Sequence, residues 1–350
     1  NSFPQADYTF TRGFSTMLPK LRTPYIQTWN IGIQREVAKN TVIEARYVGN
    51  KGTHIWHGYS INEVNIFENG FLQEFLNAQR NLAINQAAGV TSFANRGLPG
   101  QVPLPIFEAA FGARGSQPAL PASSGFANGA FITALRQGEA GRLAAALAGS
   151  PIYLCRMVGS NLAPCATRFG FNAPGPYPIN FFQVNPFAAG QRLRLMTDES
   201  YSSYNGLQIQ FRRMMTSGLS ITANYTYSKS LTDLYADSPT SEADYITLRS
   251  RNLNKGPSPF DLRHVFQVYW SWDLPFGSGR AFAINNPVLD KVLGGWTLSG
   301  IVRWQSGRVF KLTSGRLTVN GMDSGVILNG MTTDQLQRLV SIRPGPNGAV

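Results

Sequence analysis

Leu207-Gln208-Ile209-Gln210-Phe211-Arg212, a turn at Thr216-Ser217-Gly218, and then Leu219-Ser220-Ile221-Thr222-Ala223-Asn224-Tyr225-Thr226-Tyr227-Ser228 is the stretch that decides the fold. Apolar and polar residues alternate with a period of two on both sides of the turn. That is the mark of two antiparallel strands with one greasy face and one wet face. An earlier hairpin repeats it. From Tyr25 to Glu36, Trp29, Ile31 and Ile33 point one way and Thr28, Asn30 and Gln34 the other. After Ala38-Lys39-Asn40, the returning strand sets Ile43, Ala45 and Tyr47 against Glu44 and Arg46. A third hairpin sets Leu262, Phe266, Val268, Trp270, Trp272 and Leu274 against Asp261, Arg263, Gln267, Tyr269, Ser271 and Asp273. It returns with Trp296, Leu298, Val302 and Trp304 against Thr297, Ser299, Arg303 and Gln305.

A soluble sheet with one solvated face alternates in the same way. The membrane is favoured by strand length, because each run reaches about ten residues, enough for a tilted strand to cross a bilayer. It is favoured too by an apolar face almost without charge. Trp29, Tyr47, Tyr225, Tyr227, Trp270, Trp272, Trp296 and Trp304 are expected on the lipid side, many of them near strand ends as an interfacial girdle requires. Glu44, Arg46, Gln208, Gln210, Arg212, Asn224, Asp261, Arg263 and Arg303 are expected to face a polar lumen.

Composition agrees. Only 14% of the 350 residues are charged against 43% hydrophobic and 12% aromatic, whereas soluble domains carry roughly 25% charge. The apolar content excludes intrinsic disorder, and no apolar run reaches the roughly 18 residues of a membrane helix. The expected fold class is therefore all-β. It is an antiparallel transmembrane β-barrel segment, incomplete as a barrel, with a long, partly helical extracellular loop insertion. The hairpins fall at about 25–49, 203–230 and 260–307, and the loop subdomain at 50–202, within one partial barrel domain over 1–350.

The connections differ in length from end to end. Residues 38–40, 216–218 and roughly 275–294 read as short turns, and 50–202, 231–259 and 308 onward as long loops, which is the periplasmic and extracellular asymmetry of outer-membrane barrels. In the 50–202 segment, Phe71, Leu72, Phe75, Leu76, Gln79, Leu82 and Ala83 share a helical face, with Asn69 as N-cap and Gly89 beyond the end. A second helical patch, Phe131 to Leu147, is interrupted by Gly138 and Gly141. Cys155 and Cys165, in a Gly/Pro-rich stretch, predict a local disulfide and an oxidising compartment. The subdomain is expected to sit over a barrel mouth. Asn1-Ser2-Phe3-Pro4 shows neither an initiator Met nor a signal peptide, so the sequence reads as an internal piece of a longer protein.

The net charge is +12. Its basic residues are scattered singly, without a basic tract, so no nucleic acid is expected as a partner. Arg192, Arg194, Arg212, Arg249, Arg251 and Lys255 lie near the expected outer rim or on polar strand faces; they either attract anionic lipopolysaccharide or an anionic ligand, or are ordinary lumen and loop charge.

Three blocks carry a family resemblance. They are Tyr25-Ile26-Gln27-Thr28-Trp29-Asn30-Ile31-Gly32-Ile33-Gln34-Arg35-Glu36 with Glu44-Ala45-Arg46-Tyr47-Val48-Gly49-Asn50-Lys51-Gly52-Thr53-His54, then Tyr204-Asn205-Gly206-Leu207 through Leu231, and Phe260-Asp261-Leu262-Arg263-His264 through Gly307-Arg308. In that order they resemble the barrel of Oar-like TonB-dependent outer-membrane receptors. The resemblance implies a barrel of about 22 strands, an N-terminal plug, a periplasmic carboxypeptidase-regulatory-like domain upstream, and energy delivered by the TonB complex. It also implies outer-membrane lipid and lipopolysaccharide as partners, and capture of an unidentified small or oligomeric ligand. Oligosaccharide, peptide and chelated metal all remain open.

Enzymatic signatures are not evident. His54 and His57 point to opposite faces of an extended chain, and so do Asp261 and His264, while Asp261 and Arg263 share a face and can pair. No nucleophile elbow or phosphate loop occurs. The expectation is a non-enzymatic protein without cofactor or metal. Trp56, Tyr59, Phe181 and Phe182 are candidate ligand-stacking loop aromatics that could equally pack the loop subdomain. The expected function is energised uptake. The alternatives are a passive porin or structural barrel, and a secreted β-rich adhesin or carbohydrate-binding protein.

Overall fold

A computed structural model describes residues 14–114, 117–185, 193–234, 244–284, 286–310, 312–322, 324–340, 344–345 and 348–349. The chain divides into a sheet unit (13–61 with 192–310) and a helical unit (chiefly 62–191 with 311–350).

The strands of the sheet unit are β1 (Phe14–Met17), β2 (Tyr25–Ala38), β3 (Thr41–Ser60), β4 (Leu193–Thr216), β5 (Leu219–Thr232), β6 (Gly256–Pro257), β7 (His264–Asp273) and β8 (Thr297–Gln305). Six of them pair antiparallel in the order β2-β3-β4-β5-β7-β8. The short β1 runs parallel to β4, and β6 pairs with β5. The sheet is open, since β2 and β8 are its two edges. The β4–β5 turn places both Ser217 (φ 54°) and Gly218 (φ 78°) in the left-handed region, the backbone of a type I′ turn, whose twist matches that of its strands. The β2–β3 turn is also two residues, with Asn40 at φ 61°.

Three sequence expectations change here. First, β3 does not stop near Asn50. It continues to Ser60 through register shifts at Gly52, Ile55 and His57, so Trp56 and Tyr59 are strand residues and not loop aromatics. Second, Asp261 and Arg263 precede β7. Asp261 is buried, accepts the Ser230 N–H at 2.6 Å and pairs with Arg263 at 3.1 Å, so it pins a connection to β5 and is not part of a strand face. Third, the β7–β8 connection is no tight turn: it holds a helix over Pro287–Leu293, capped by the Asn286 side chain.

Among the described residues the helical unit contains α1 (Phe71–Ala87), α2 (Pro105–Phe111), α3 (Gly129–Gln137), α4 (Ala140–Gly149), α5 (Pro151–Val158) and α6 (Ala163–Phe169), with a further short helix over Thr333–Leu339. The N-cap of α1 is Gly70, and Asn69 stands one residue earlier, where its side chain accepts the Phe71 N–H. Gly138 does end a helix, with left-handed geometry after α3. Gly141 does not. It lies inside α4, where a Cβ would come within 2.3 Å of the Asn320 backbone. The bare backbone lets the 317–320 segment supply the carbonyls of Thr318 and Leu317 to the N–H groups of Gly141 and Arg142, which no residue within the helix can satisfy. The fully buried core joins Phe71, Phe75, Phe93, Phe107, Phe111 and Phe182 with aliphatic side chains such as Leu104, Leu135 and Leu143.

Cys155 on α5 and Cys165 on α6 are disulfide-bonded and wholly buried in this core. The bridge therefore ties two helices together and is not a clip on an irregular loop. Glu74 of α1 is buried too, and its carboxylate accepts the N–H groups of Ile106 (3.0 Å) and Phe107 (2.8 Å) at the start of α2. Burial pushes this carboxyl up to about 7, against those two bonds and with a further push from Glu108.

Two outcomes follow for the helical unit. Replacing both cysteines by Ser should lower its unfolding free energy by about 2–3 kcal/mol, the loop-closure value for a bridge of this span, measured by denaturant titration. Glu74 binds its proton more tightly when folded, so its contribution is complete below the unfolded value of about 4.5 and is lost as pH rises to about 7. Hydrogen-exchange protection of α1 and α2, corrected for intrinsic rates, should fall by about 3 kcal/mol between pH 4.5 and 8, and Glu74→Gln should flatten that slope.

Candidate functional site: the two faces of the sheet

Strand register converts the alternation into rows. Gln34, Glu44, Gln210, Asn224, Gln267 and Arg303 are successive cross-strand partners, so one polar row crosses all six long strands. A second row on the same face runs Gly32, Arg46, Gln208, Thr226, Val265 and Gln305, and a third contains Arg212 beside Val42 and Thr222. Within this face Arg46 pairs with Glu44, and the Gln210 side-chain amide donates to Asn224 Oδ1 at 2.8 Å. Glu44, Arg46, Gln208, Gln210, Asn224 and Thr226 line a shallow depression of about 270 Å³. Amides and a charge pair side by side offer donors and acceptors together.

The opposite face is apolar. One row is Ile33, Ala45, Ile209, Tyr225, Phe266 and Trp304. The neighbouring rows hold Ile31, Tyr47, Leu207, Tyr227 and His264 on one side, and Ile43, Phe211, Ala223, Val268 and Val302 on the other, where Arg35 on the edge strand β2 is the row's one charge. Aromatics bracket this band. Trp270 and Trp272 stand towards the short-turn end, and Trp29, Tyr47, Tyr225, Tyr227 and Trp304 towards the long-loop end. Trp29 lies over Gly49 and Trp270 over Gly300, where a Cβ would meet the indole at 2.3 Å and 2.4 Å. Trp296 sits one residue before β8, exposed, with its indole N–H on the Val292 carbonyl. His264 lies on this face, opposite the polar one, and its ring joins Tyr225, Tyr227 and Trp304, with the Tyr225 hydroxyl 2.8 Å from its Nδ1. The face is uncovered: Ile33 is 76% exposed, Ile31 71% and Trp304 58%. A contiguous apolar surface of this extent is a contact surface for something other than water.

The four candidate stacking aromatics divide between the two units, Trp56 and Tyr59 in the sheet unit and Phe181 and Phe182 in the helical unit. Phe182 is buried in the helical core, in edge contact with Phe71 and Phe181. Trp56 is exposed on β3, its indole N–H on the Arg22 carbonyl. Tyr59 is buried, with Arg251 over its ring and the Arg251 guanidinium 2.7 Å from its hydroxyl.

Around Tyr59, at the long-loop end, lies a polar cluster that sequence reading missed. Tyr245 packs edge-on to His57 and Tyr59, and its hydroxyl lies within 3.5 Å of His57, Ser200 and Asp233. Burial pushes that hydroxyl up to about 12. Asp198 binds Arg22 and Glu199 binds Arg251, while Asp244 accepts the Ser60 N–H and pairs with Arg194. Arg192 lies outside the described residues. Among the described residues no group of three or more metal-binding side chains occurs.

A family model described as an outer membrane β-barrel domain matches residues 1–101 and 152–341. No curated protein and no solved structure matches the chain.

Paired substitutions separate the two faces. Ile209→Lys should destabilise the protein in lipid bilayers by about 2–4 kcal/mol, the cost of a lysine on a lipid face near mid-depth. The adjacent Gln210→Lys should change stability by less than about 1 kcal/mol. Urea titration in vesicles, read by gel mobility, measures both.

Proposed function

The chain belongs to the outer membrane β-barrel domain family and to the bacterial outer membrane, and from that premise we propose that it forms wall of a TonB-dependent receptor that takes up a polar solute. The observation that carries this reading is the polar row Gln34–Glu44–Gln210–Asn224–Gln267–Arg303, back to back with an uncovered apolar row. In hydrocarbon every backbone group must be paired, so only helices and closed barrels span a bilayer. The apolar face then meets lipid and the polar face a lumen, and further strands must flank β2 and β8 to close the wall. The Oar-like resemblance of the strand blocks supports TonB as the energy source.

The chemistry is binding and passage without a catalytic group. The row's four side-chain amides and the adjoining Glu44–Arg46 pair present donors and acceptors together, with Arg212 and Arg303 adding donors, which suits a hydroxyl- or amide-rich solute such as an oligosaccharide or peptide. Long connections between the strands form the capture surface, on the extracellular side.

The full-length protein in planar bilayers tests the mechanism. The expected result is no steady conductance in buffer alone, together with binding of the purified periplasmic domain of TonB. A steady open conductance that needs no TonB would make the protein a passive porin. A product that stays in buffer without detergent would make it a secreted β-rich binding protein.

A further inference from the structure

Above the aromatic band, towards the long-loop end, the outward face of the sheet changes character. The next row is Trp29, Gly49, Asn205 and Lys229, and the one after it Gln27, Lys51, Ser203 and Leu231. Both lysines are exposed. They stand on β3 and β5, two strands and so about 10 Å apart, offset along the strands by one row, about 7 Å. Between and above them, Tyr201 carries the Lys255 ammonium 5.9 Å from its ring centre. Three cations thus flank the strip Tyr201–Ser203–Asn205. Neighbouring carboxylates are already engaged: Glu199 with Arg251, Asp198 with Arg22, and Asp233 with the Tyr201 N–H. Directly below are Tyr47, whose hydroxyl donates to Asn205 Oδ1 at 2.6 Å, and Tyr227.

A lysine on the lipid side of a barrel is costly at mid-depth and nearly free at the interface. Cations placed just beyond an aromatic girdle meet headgroup phosphates. We propose that Lys51, Lys229 and Lys255 form a binding site for the doubly phosphorylated sugar headgroup of lipid A, with acyl chains lying along Tyr47, Tyr227 and the apolar rows beneath. Two separated cations with hydroxyl and amide donors between them suit a headgroup bearing two separated phosphates. A single-phosphate glycerolipid fills only one of the cation positions. The inference rests on the barrel reading and on the long connections facing outward, where the lipid A leaflet lies.

The test uses the full-length protein in detergent and native mass spectrometry with three probes: bis-phosphorylated lipid A, the same lipid stripped of phosphate, and phosphatidylglycerol. The expected result is preferential retention of the bis-phosphorylated form, weakened at least tenfold in Lys51→Gln/Lys229→Gln and kept in Lys51→Arg/Lys229→Arg. Equal retention by the wild-type protein and the glutamine variant, or equal retention of the phosphate-free lipid, overturns the site. Equal competition by phosphatidylglycerol overturns lipid A as its occupant. Heat-shifted gel mobility, read in parallel on all three proteins, reports the barrel separately: its absence from the wild type fails the barrel reading, and its presence with equal lipid retention fails only the site.

Discussion

Cross-strand register is the constraint on which the rest of this structure depends. A strand shows alternate side chains to opposite faces, so a slip of one residue in any pairing would exchange the two sets. Six strands in consistent register align Gln34 through Arg303 in one row and Ile33 through Trp304 in the next. Tight turns fix that register where it begins. Ser217 and Gly218 adopt left-handed geometry between β4 and β5, which allows one pairing frame and excludes its neighbours. Aromatics over glycines reinforce it, since Trp29 and Trp270 each fill the space left at the facing Gly49 and Gly300.

The two units solve the problem of apolar surface in different ways. In the helical unit short helices enclose an apolar core around Phe71, Phe107, Phe111 and Phe182, tied by Cys155–Cys165 and by the buried Glu74 carboxylate. The sheet unit instead leaves Ile31, Ile33 and Trp304 exposed and keeps its buried side chains largely for polar contacts at the long-loop end. There Asp198, Asp233, Asp244 and Asp261 anchor the connections between strands through bonds to backbone and to arginines, while Tyr245 bonds the side chains of His57, Ser200 and Asp233. Such bonds position loops where water is within reach, whereas the same groups at mid-depth in hydrocarbon would be expensive.

Much of the sheet was legible because lipid imposes a strict two-residue period, and Leu207–Arg212 and Leu219–Ser228 show it without interruption. The period fails where the strand does not need it. Register shifts at Gly52, Ile55 and His57 hid the second half of β3, and the polar run Thr197-Asp198-Glu199-Ser200 hid the first part of β4. Alternation also misled. It ran on through Asp261, which a buried hydrogen bond to the Ser230 N–H, not a strand position, holds in place. In the helical unit α1 was visible from its face of Phe and Leu, but α2, α5 and α6 are only seven or eight residues long and open with Pro near the first position. Proline there suits a helix start, yet in a Pro/Gly-rich stretch it reads as loop. The row of amides shared by Gln34, Gln210, Asn224 and Gln267 needed the pairing itself, because no sequence pattern states which residues face each other.

The most direct measurement is a nitroxide scan of residues 205–212 in the full-length protein reconstituted into vesicles, comparing collisions with oxygen, which partitions into lipid, and with a water-soluble nickel chelate. The account predicts alternation with a period of two: Leu207, Ile209 and Phe211 favour oxygen, and Gln208, Gln210 and Arg212 favour the chelate. Shielding of the odd-numbered positions from both reagents would mean that protein covers the apolar face, and equal access of the chelate to all positions would mean that water does. Either result would contradict a wall built between lipid and lumen.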